Sequence, residues 1–144
     1  MTEISLTIDG KKLTTDEGNT ILWAALDNGI YIPNLCAIRE KSEPFASCRV
    51  CFVEVEGEDE PVTACTQLVR EGMVVRLQGK TALRLARTAA ELLLSNHPLD
   101  CAHCEKRRAC ELLRIAKSLG IKVKTNRFRK LERNLPIDNT SSVL

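Results

Sequence analysis

Several features on which common protein functions depend are scarce in this sequence. Aromatic residues make up 3% of the 144 residues, too few for a nucleic-acid surface built on stacked aromatic rings. No run of apolar residues approaches the ~18 that would suggest a membrane span. Residues 1–8 alternate polar and apolar side chains and have neither the basic start nor the apolar stretch of a signal peptide. We therefore expect a cytoplasmic chain without a membrane span.

Histidine is also scarce, whereas cysteine is abundant. Seven cysteines accompany only two histidines. An odd number of cysteines without an export signal does not fit a framework of disulfide bonds. Closely spaced cysteines in a reducing compartment more often bind metal. The cysteines are therefore the first candidates for function.

The charges are distributed unevenly along the chain. Residues 1–104 carry ten basic and fifteen acidic residues, a net charge of −5. Residues 105–134 carry eleven basic and three acidic residues, a net charge of +8. A basic stretch is usually a solvated face or a docking surface for a partner, and this one contains no groove-reading motif. We therefore expect two surfaces of opposite charge and no nucleic-acid partner.

The first part of the chain has the pattern of a small α+β unit. A turn at Asp9 and Gly10 separates two alternating segments, and Asn19 or Thr20 can cap a helix that follows them. Strands are predicted at residues 4–8, 11–14, 50–55 and 73–77, and a helix at residues 19–29.

The character of the sequence changes at about residue 80. Residues 80–95 are rich in alanine, leucine and arginine, with apolar positions at helical spacing. A polar, cysteine-rich loop follows, and a second amphipathic helix is predicted at residues 110–119, where Gly120 ends it. We therefore predict two domains, at residues 1–79 and 80–144, the second being helical with a basic C-terminal tail.

Four cysteines of the first part form one group, with the spacing Cys36-x11-Cys48-x2-Cys51-x13-Cys65. Four thiolates are the ligands of a [2Fe–2S] cluster, two on each iron. Arg49 and backbone N–H groups of the loop could balance the negative charge of such a site. A structural zinc ion with four cysteine ligands is the alternative. Zinc ribbons usually present two close C-x2-C pairs, and only one is present here, so the spacing favours [2Fe–2S].

The remaining cysteines form a second group with a histidine, with the spacing His97-x3-Cys101-x2-Cys104-x5-Cys110. Three thiolates and one neutral imidazole could hold a [4Fe–4S] cluster, but they are also a common structural zinc set, so zinc is the alternative. His103 could replace His97 as the fourth ligand, although we expect its side chain to face solvent. The basic residues that could offset the charge of this site are Lys106, Arg107 and Arg108.

Both groups, in this order, resemble the module that opens the large iron–sulfur subunit of respiratory complex I. The resemblance is carried by the motifs YIPNLC at 31–36, SCRVC at 47–51, ACT at 64–66 and NHPLDC-x2-C-x5-CEL at 96–112. Similar modules open the diaphorase small subunit of NAD-reducing hydrogenases, iron-only hydrogenases and some NAD-dependent formate dehydrogenases. The resemblance implies a β-grasp ferredoxin domain that holds [2Fe–2S], followed by a helical segment that holds [4Fe–4S].

The resemblance also assigns ligands residue by residue. It implies that the [2Fe–2S] ligands are Cys36, Cys48, Cys51 and Cys65, and that the [4Fe–4S] ligands are His97, Cys101, Cys104 and Cys110. The second loop departs from the family's pattern at two places. The family often has proline after its first cysteine and glycine two residues before its last, where this chain has Ala102 and Arg108. We expect the loop to close with different hydrogen bonds to the cluster.

The function implied by the resemblance is that of an electron-transfer subunit in a hetero-oligomeric oxidoreductase. It would relay single electrons between a flavin subunit that oxidises NADH or NADPH and a catalytic partner. That partner would be a hydrogenase, a formate dehydrogenase or a related, including electron-bifurcating, enzyme. The sequence offers no acid–base pair, nucleophile elbow or phosphate loop, so we expect no complete active site in this chain. The alternative is a zinc-stabilised protein-interaction module with no redox role.

Overall fold

The computed structural model describes residues 3–124, 128 and 136. The first part of the chain forms a sheet and a short helix, and the second part forms two helices joined by a short 3₁₀ turn. The strands are β1 (Glu3–Ile8), β2 (Lys11–Asp16), β3 (Phe52–Val55), β4 (Val62–Thr63) and β5 (Met73–Arg76). The helices are α1 (Ile21–Asp27), α2 (Lys80–Asn96) and α3 (Glu111–Ser118), and the 3₁₀ turn is Glu105–Ala109.

The five strands form one mixed sheet with the order β2-β1-β5-β3-β4. Strand β1 pairs antiparallel with β2 and parallel with β5, and β5 pairs antiparallel with β3. The β1–β2 hairpin turns at Asp9 and Gly10, which have φ angles of +47° and +80°. The sheet and its crossing helix confirm the predicted α+β, β-grasp architecture.

Sequence periodicity predicted the longer elements to within two residues at each end. It missed β4, a two-residue strand that pairs only with β3 and is too short to show a period. It also described Glu105–Ala109 as loop, because a single 3₁₀ turn leaves no apolar stripe. No helix of the described residues is long and apolar enough to cross a membrane.

The first core lies between α1 and the sheet. Ile21 and Leu22 of α1 are fully buried, and they belong to one apolar cluster with Ile8, Val53 and Val75 of the strands. Each such side chain contributes about 1.5–3 kcal/mol when it leaves water. This core fixes the sheet edge from which the cysteine loop departs.

A second core joins the two parts of the chain. Ala90 and Leu94 of α2 pack with Ile115 of α3 and with Val50 and Phe52 of the first part. Small residues along α2 let this helix lie close to β3. The sequence boundary between residues 79 and 80 is therefore crossed by a shared core, and the division into two domains there stays a prediction.

Tyr31 of the first part makes a second contact between the two parts of the chain, with residues of α3. Its hydroxyl donates a hydrogen bond of 2.9 Å to the carboxylate of Glu111, and the guanidinium of Arg114 lies 4.1 Å from its ring centroid. Burial, followed by the hydrogen bond and negative charge of Glu111, raises the pKa of Tyr31 well above its usual value, against a lowering by Arg114. The hydroxyl therefore stays a donor. Because Glu111 directly follows Cys110, this contact anchors the start of α3.

Helix α2 begins against a carboxylate supplied by the sheet. Glu54 of β3 accepts hydrogen bonds from the backbone N–H groups of Thr81 at 3.0 Å and Ala82 at 3.3 Å. The N-cap residue is Gly79, and a Cβ at this position would overlap the Glu54 carboxylate. A carboxylate here satisfies free N–H groups and complements the helix dipole. Glu54 thus fixes where α2 starts.

We expect Glu54→Ala to lower the free energy of unfolding by about 1–2 kcal/mol, because two N–H groups lose their acceptor. The thermal midpoint of the anaerobic holoprotein, followed by circular dichroism, should fall by roughly 3–6 °C. Glu56→Ala is the matched control, since the Glu56 pair with Arg76 is 3.5 Å long and both side chains are largely exposed. Equal shifts for the two variants would contradict the capping role of Glu54.

Candidate iron–sulfur sites

The loop that leads into β3 carries three cysteines of the first group, and the segment after β4 carries the fourth, Cys65. The backbone N–H of Cys48 lies 3.5 Å from the Cys36 sulfur. The thiol of Cys51 shares a hydrogen bond with Cys65, and it also lies close enough to Cys48 for their charges to interact. The four sulfurs therefore form two adjacent pairs. This grouping fits a [2Fe–2S] cluster, which needs two thiolates on each iron.

In each pair, neighbouring groups lower the pKa of one cysteine and so favour its thiolate form. Burial raises the pKa of Cys36, but hydrogen bonds from Cys48 and Ser47 outweigh it and lower that pKa below its usual value. The hydrogen bond from Cys51, assisted by the positive charge of Arg49, lowers the pKa of Cys65 to about 7 against the effect of burial. Because the thiolate is the form that binds metal, these contacts prepare the site for a metal cluster.

The other cysteine of each pair has a raised pKa, so its surroundings favour the neutral thiol. The hydrogen bond with Cys65, together with burial, raises the pKa of Cys51 far above its usual value. Burial raises the pKa of Cys48. Metal binding must displace the protons of these two thiols, because the thiolate is the form that binds metal.

Two residues of this loop adopt backbone conformations that are rare for residues with side chains. Ala46 has a φ angle of +49° and Arg49 one of +56°, and the two flank Cys48. Such conformations cost on the order of 1–3 kcal/mol each and persist where the surrounding structure fixes them, often at functional sites. Here they bend the backbone around the cysteines and direct the Cys48 N–H toward Cys36.

Exposed apolar side chains border the first site. The structure exposes five large apolar residues in the part of the chain that it describes, and four of them lie within three positions of a first-group cysteine. These four are Leu35, Ile38, Phe45 and Leu68. Apolar surface gathered in this way marks an interaction site.

The loop between α2 and α3 forms a cavity around the second group. His97 is the C-cap of α2 and Cys110 is the N-cap of α3, and both line this cavity together with Cys101 and Cys104. The cavity has a volume of about 20 Å³ and is partly open to solvent. Among the described residues, no three histidine, cysteine or acidic side chains converge closely enough to hold a single metal ion. The second group thus surrounds a space, and its donor set is the one predicted for [4Fe–4S].

The rest of the cavity wall is mostly apolar. Its remaining members are Leu94, Pro98, Leu99, Arg107, Leu112 and Leu113. Leucine side chains exclude water and lower the local dielectric, which strengthens the influence of any nearby charge on a cluster. Arg107 is the cation in this wall, whereas Lys106 and Arg108 do not line the cavity.

The geometry separates the two histidines. His97 lines the cavity with the three cysteines. The Nδ1 atom of His103 lies 2.9 Å from a carboxylate oxygen of Asp100, and its side chain is 84% exposed. This arrangement favours His97 as the fourth donor, and it places His103 toward solvent as expected.

The 3₁₀ turn closes the loop without the family's glycine. The N–H of Arg107 donates to the Cys104 carbonyl at 3.1 Å. Arg108, which stands at the position of that glycine, is not among the described residues with a left-handed φ angle. An ordinary right-handed turn therefore accommodates a large side chain here.

A common apolar core connects the two sites. Cys48 of the first group packs into the same cluster as Leu94 and Leu99, which line the cavity of the second group. Val50, two residues after Cys48, is fully buried in this cluster. The sites are therefore held in a fixed relation by packed side chains.

Two family comparisons divide the chain in the same order as these sites. Residues 1–80 match a family described as a 2Fe-2S iron-sulfur cluster binding domain. Residues 87–124 match a region described as the NADH-ubiquinone oxidoreductase-G iron-sulfur binding region. The first match contains all four cysteines of the first group, and the second contains His97 and the other three cysteines. The matches confirm the predicted complement of one [2Fe–2S] and one [4Fe–4S] cluster.

Curated relatives contain this chain as a small part of their length. The NADPH-Fe(3+) oxidoreductase subunit alpha of Geobacter sulfurreducens is 45% identical over 117 residues, which cover 81% of this chain and 14% of that protein. The NADP-reducing hydrogenase subunit HndD of Solidesulfovibrio fructosivorans is 43% identical over 126 residues, covering 85% and 22%. The mitochondrial NADH-ubiquinone oxidoreductase 78 kDa subunit of Neurospora crassa is 39% identical over 110 residues, covering 76% and 15%. The chain thus spans less than a quarter of each relative.

A solved structure has the same backbone arrangement. The match is to a crystal structure of NAD+-reducing [NiFe]-hydrogenase in the H2-reduced state, with a TM-score of 0.74 and 31% identity. It covers 90% of this chain and 54% of the matched chain. The likeness therefore extends over both sites and confirms the resemblance seen in the sequence. The chain belongs to the 2Fe-2S iron–sulfur cluster binding domain family, and its second part matches the iron–sulfur binding region that accounts for the [4Fe–4S] cluster.

Proposed function

We propose that this chain is the electron relay of a cytoplasmic, hetero-oligomeric oxidoreductase. In this proposal a flavin subunit oxidises NADH or NADPH, and a separate subunit performs the terminal reaction, as in a hydrogenase or a formate dehydrogenase. The observation that carries the proposal is the presence of two complete cluster donor sets in one small chain, connected by a shared core. The named relatives support it, because they are subunits of NAD(P)-linked oxidoreductases.

We assign the ligands of both clusters to the side chains that the structure groups. The [2Fe–2S] ligands are Cys36, Cys48, Cys51 and Cys65, and the [4Fe–4S] ligands are His97, Cys101, Cys104 and Cys110. The contacts among the first four sulfurs and the common cavity of the second four support this assignment.

The bound clusters would supply one-electron chemistry, and the residues of the chain would set their environment. Each set has four protein donors, so neither leaves an obvious position for a substrate. Near the first site, the Cys48 N–H and the positive charge of Arg49 offset the charge of the thiolates. Such contacts stabilise the reduced state and thereby raise the potential.

The apolar border of the first site supports a protein partner beside it. Leu35, Ile38, Phe45 and Leu68 expose apolar surface next to cluster ligands. A redox partner that covered them would gain burial energy and would bring its own carrier close to the cluster. We therefore place the contact with one redox subunit at this border.

The anaerobically purified protein should contain about six iron and six acid-labile sulfide per chain, the sum of one [2Fe–2S] and one [4Fe–4S] cluster. After reduction with dithionite, electron paramagnetic resonance should show two distinct signals. A colourless protein with about two zinc ions per chain would contradict the relay and support the zinc-stabilised interaction module.

We expect His97→Ala to perturb or remove the second cluster, because the cavity loses its imidazole donor. Iron should fall by at most about four per chain, and the paramagnetic signal of the first cluster should stay unchanged. His103→Ala is the matched control, since His103 contacts Asp100 at the surface. Loss of the second cluster in His103→Ala, with its retention in His97→Ala, would reverse the assignment.

A further inference from the structure

The 3₁₀ turn between Cys104 and Cys110 carries three consecutive basic residues. Lys106, Arg107 and Arg108 are all exposed, and the turn buries none of its residues. Within the described part of the chain, none of the three side chains has a hydrogen-bond or ion-pair partner. Their charges are therefore not used in ion pairs with the residues that the structure describes.

This basic turn lies where the second site is most accessible. Cys104 is exposed, whereas the other six cysteines are buried or partly buried. Arg107 lines the same cavity as Cys104, and its N–H donates to the Cys104 carbonyl at 3.1 Å. A molecule bound to the turn would consequently be next to the most open ligand of the [4Fe–4S] site.

The surrounding charges leave this region positive. Glu105 is the acidic residue of the turn, and Asp100 is already paired with His103. Glu111 is engaged by Tyr31 and lies 3.6 Å from Arg114. The turn itself therefore carries three basic residues and one acidic residue, a net charge of +2.

An acidic surface lies elsewhere on the protein, at the turn between β3 and β4. Residues 56–60, between β3 and β4, expose four acidic side chains, of which two form surface pairs with Arg70 and Arg76. A molecule with negative charge would be repelled there and attracted to the turn. Opposed charges of this kind orient an approaching partner and accelerate its association.

We infer that Lys106, Arg107 and Arg108 form a docking surface for an acidic protein that carries single electrons. This inference rests on the proposed relay, because it assigns the chemistry of the partner at the second cluster. One electron passes in each encounter: the cluster loses one electron and an oxidised carrier gains it, with no atom transferred. The position beside a redox site favours an electron carrier over a nucleic acid as the occupant.

The test uses reduced holoprotein and plant plastocyanin, an acidic copper protein that accepts one electron per molecule. Stopped-flow absorbance measures the second-order rate of copper reduction at several salt concentrations. The variant Lys106→Gln/Arg108→Gln, which leaves the cavity-lining Arg107 in place, should lower the rate at low salt by on the order of ten-fold, since steering of this kind changes rates by roughly 10- to 1,000-fold. Added salt should remove most of the difference.

Lys11→Gln/Lys12→Gln is the matched control. It removes the same charge from two exposed residues of the β1–β2 hairpin and should stay close to the wild-type rate. Cytochrome c, a basic acceptor, should not be slowed by Lys106→Gln/Arg108→Gln, because neither residue lines the cavity of the second site. Equal slowing in both double variants, or a wild-type rate independent of salt, would overturn the docking surface.

Two further measurements separate this inference from the proposed relay. Normal iron, sulfide and paramagnetic signals in the variants, with an unchanged plastocyanin rate, would refute the docking surface and leave the relay standing. A wild-type protein without clusters would refute both. Salt-sensitive binding of duplex DNA that Lys106→Gln/Arg108→Gln abolishes would identify a nucleic-acid surface and overturn the inference.

Discussion

The mutual proximity of four cysteine sulfurs in the first site is the constraint that shapes the surrounding structure. Sulfurs that carry charge repel one another, and a short loop has little surface with which to offset that repulsion. The chain meets this constraint with backbone donors and with Arg49, whose left-handed conformation also bends the loop. The conformational cost of this loop is compensated by the two cores that flank it.

Strand β3 connects that loop to both cores. Val53 faces the core under α1, whereas Phe52 packs with α2 in the second core. The alternation of side chains along a strand makes this possible, since neighbouring residues point to opposite faces. Glu54, on the same strand, also caps α2. One short strand therefore positions the first loop and the helix that leads to the second cavity.

The charge of the chain is organised around the two sites rather than spread evenly. Acidic residues gather at the β3–β4 turn, and basic residues gather at the 3₁₀ turn beside Cys104. Exposed apolar residues gather at the first site instead. The two sites thus present surfaces of different chemistry.

The order of residues alone predicted the donor sets, and it determined the order of the two sites and most of the elements, because ligand spacing and apolar periodicity are local properties. Its resemblance to a known module supplied the β-grasp fold. It could not show β4 or the 3₁₀ turn, which are too short for a period and depend on their neighbours. The sequence already favoured His97 over His103 as a ligand, and the folded chain adds that His97 lines the cavity whereas His103 contacts Asp100 at the surface. The folded chain was needed to show the core shared by Val50 and α2, and to distinguish Arg107 from the adjacent basic residues. Those relations are long-range contacts, which arise only when the chain has folded.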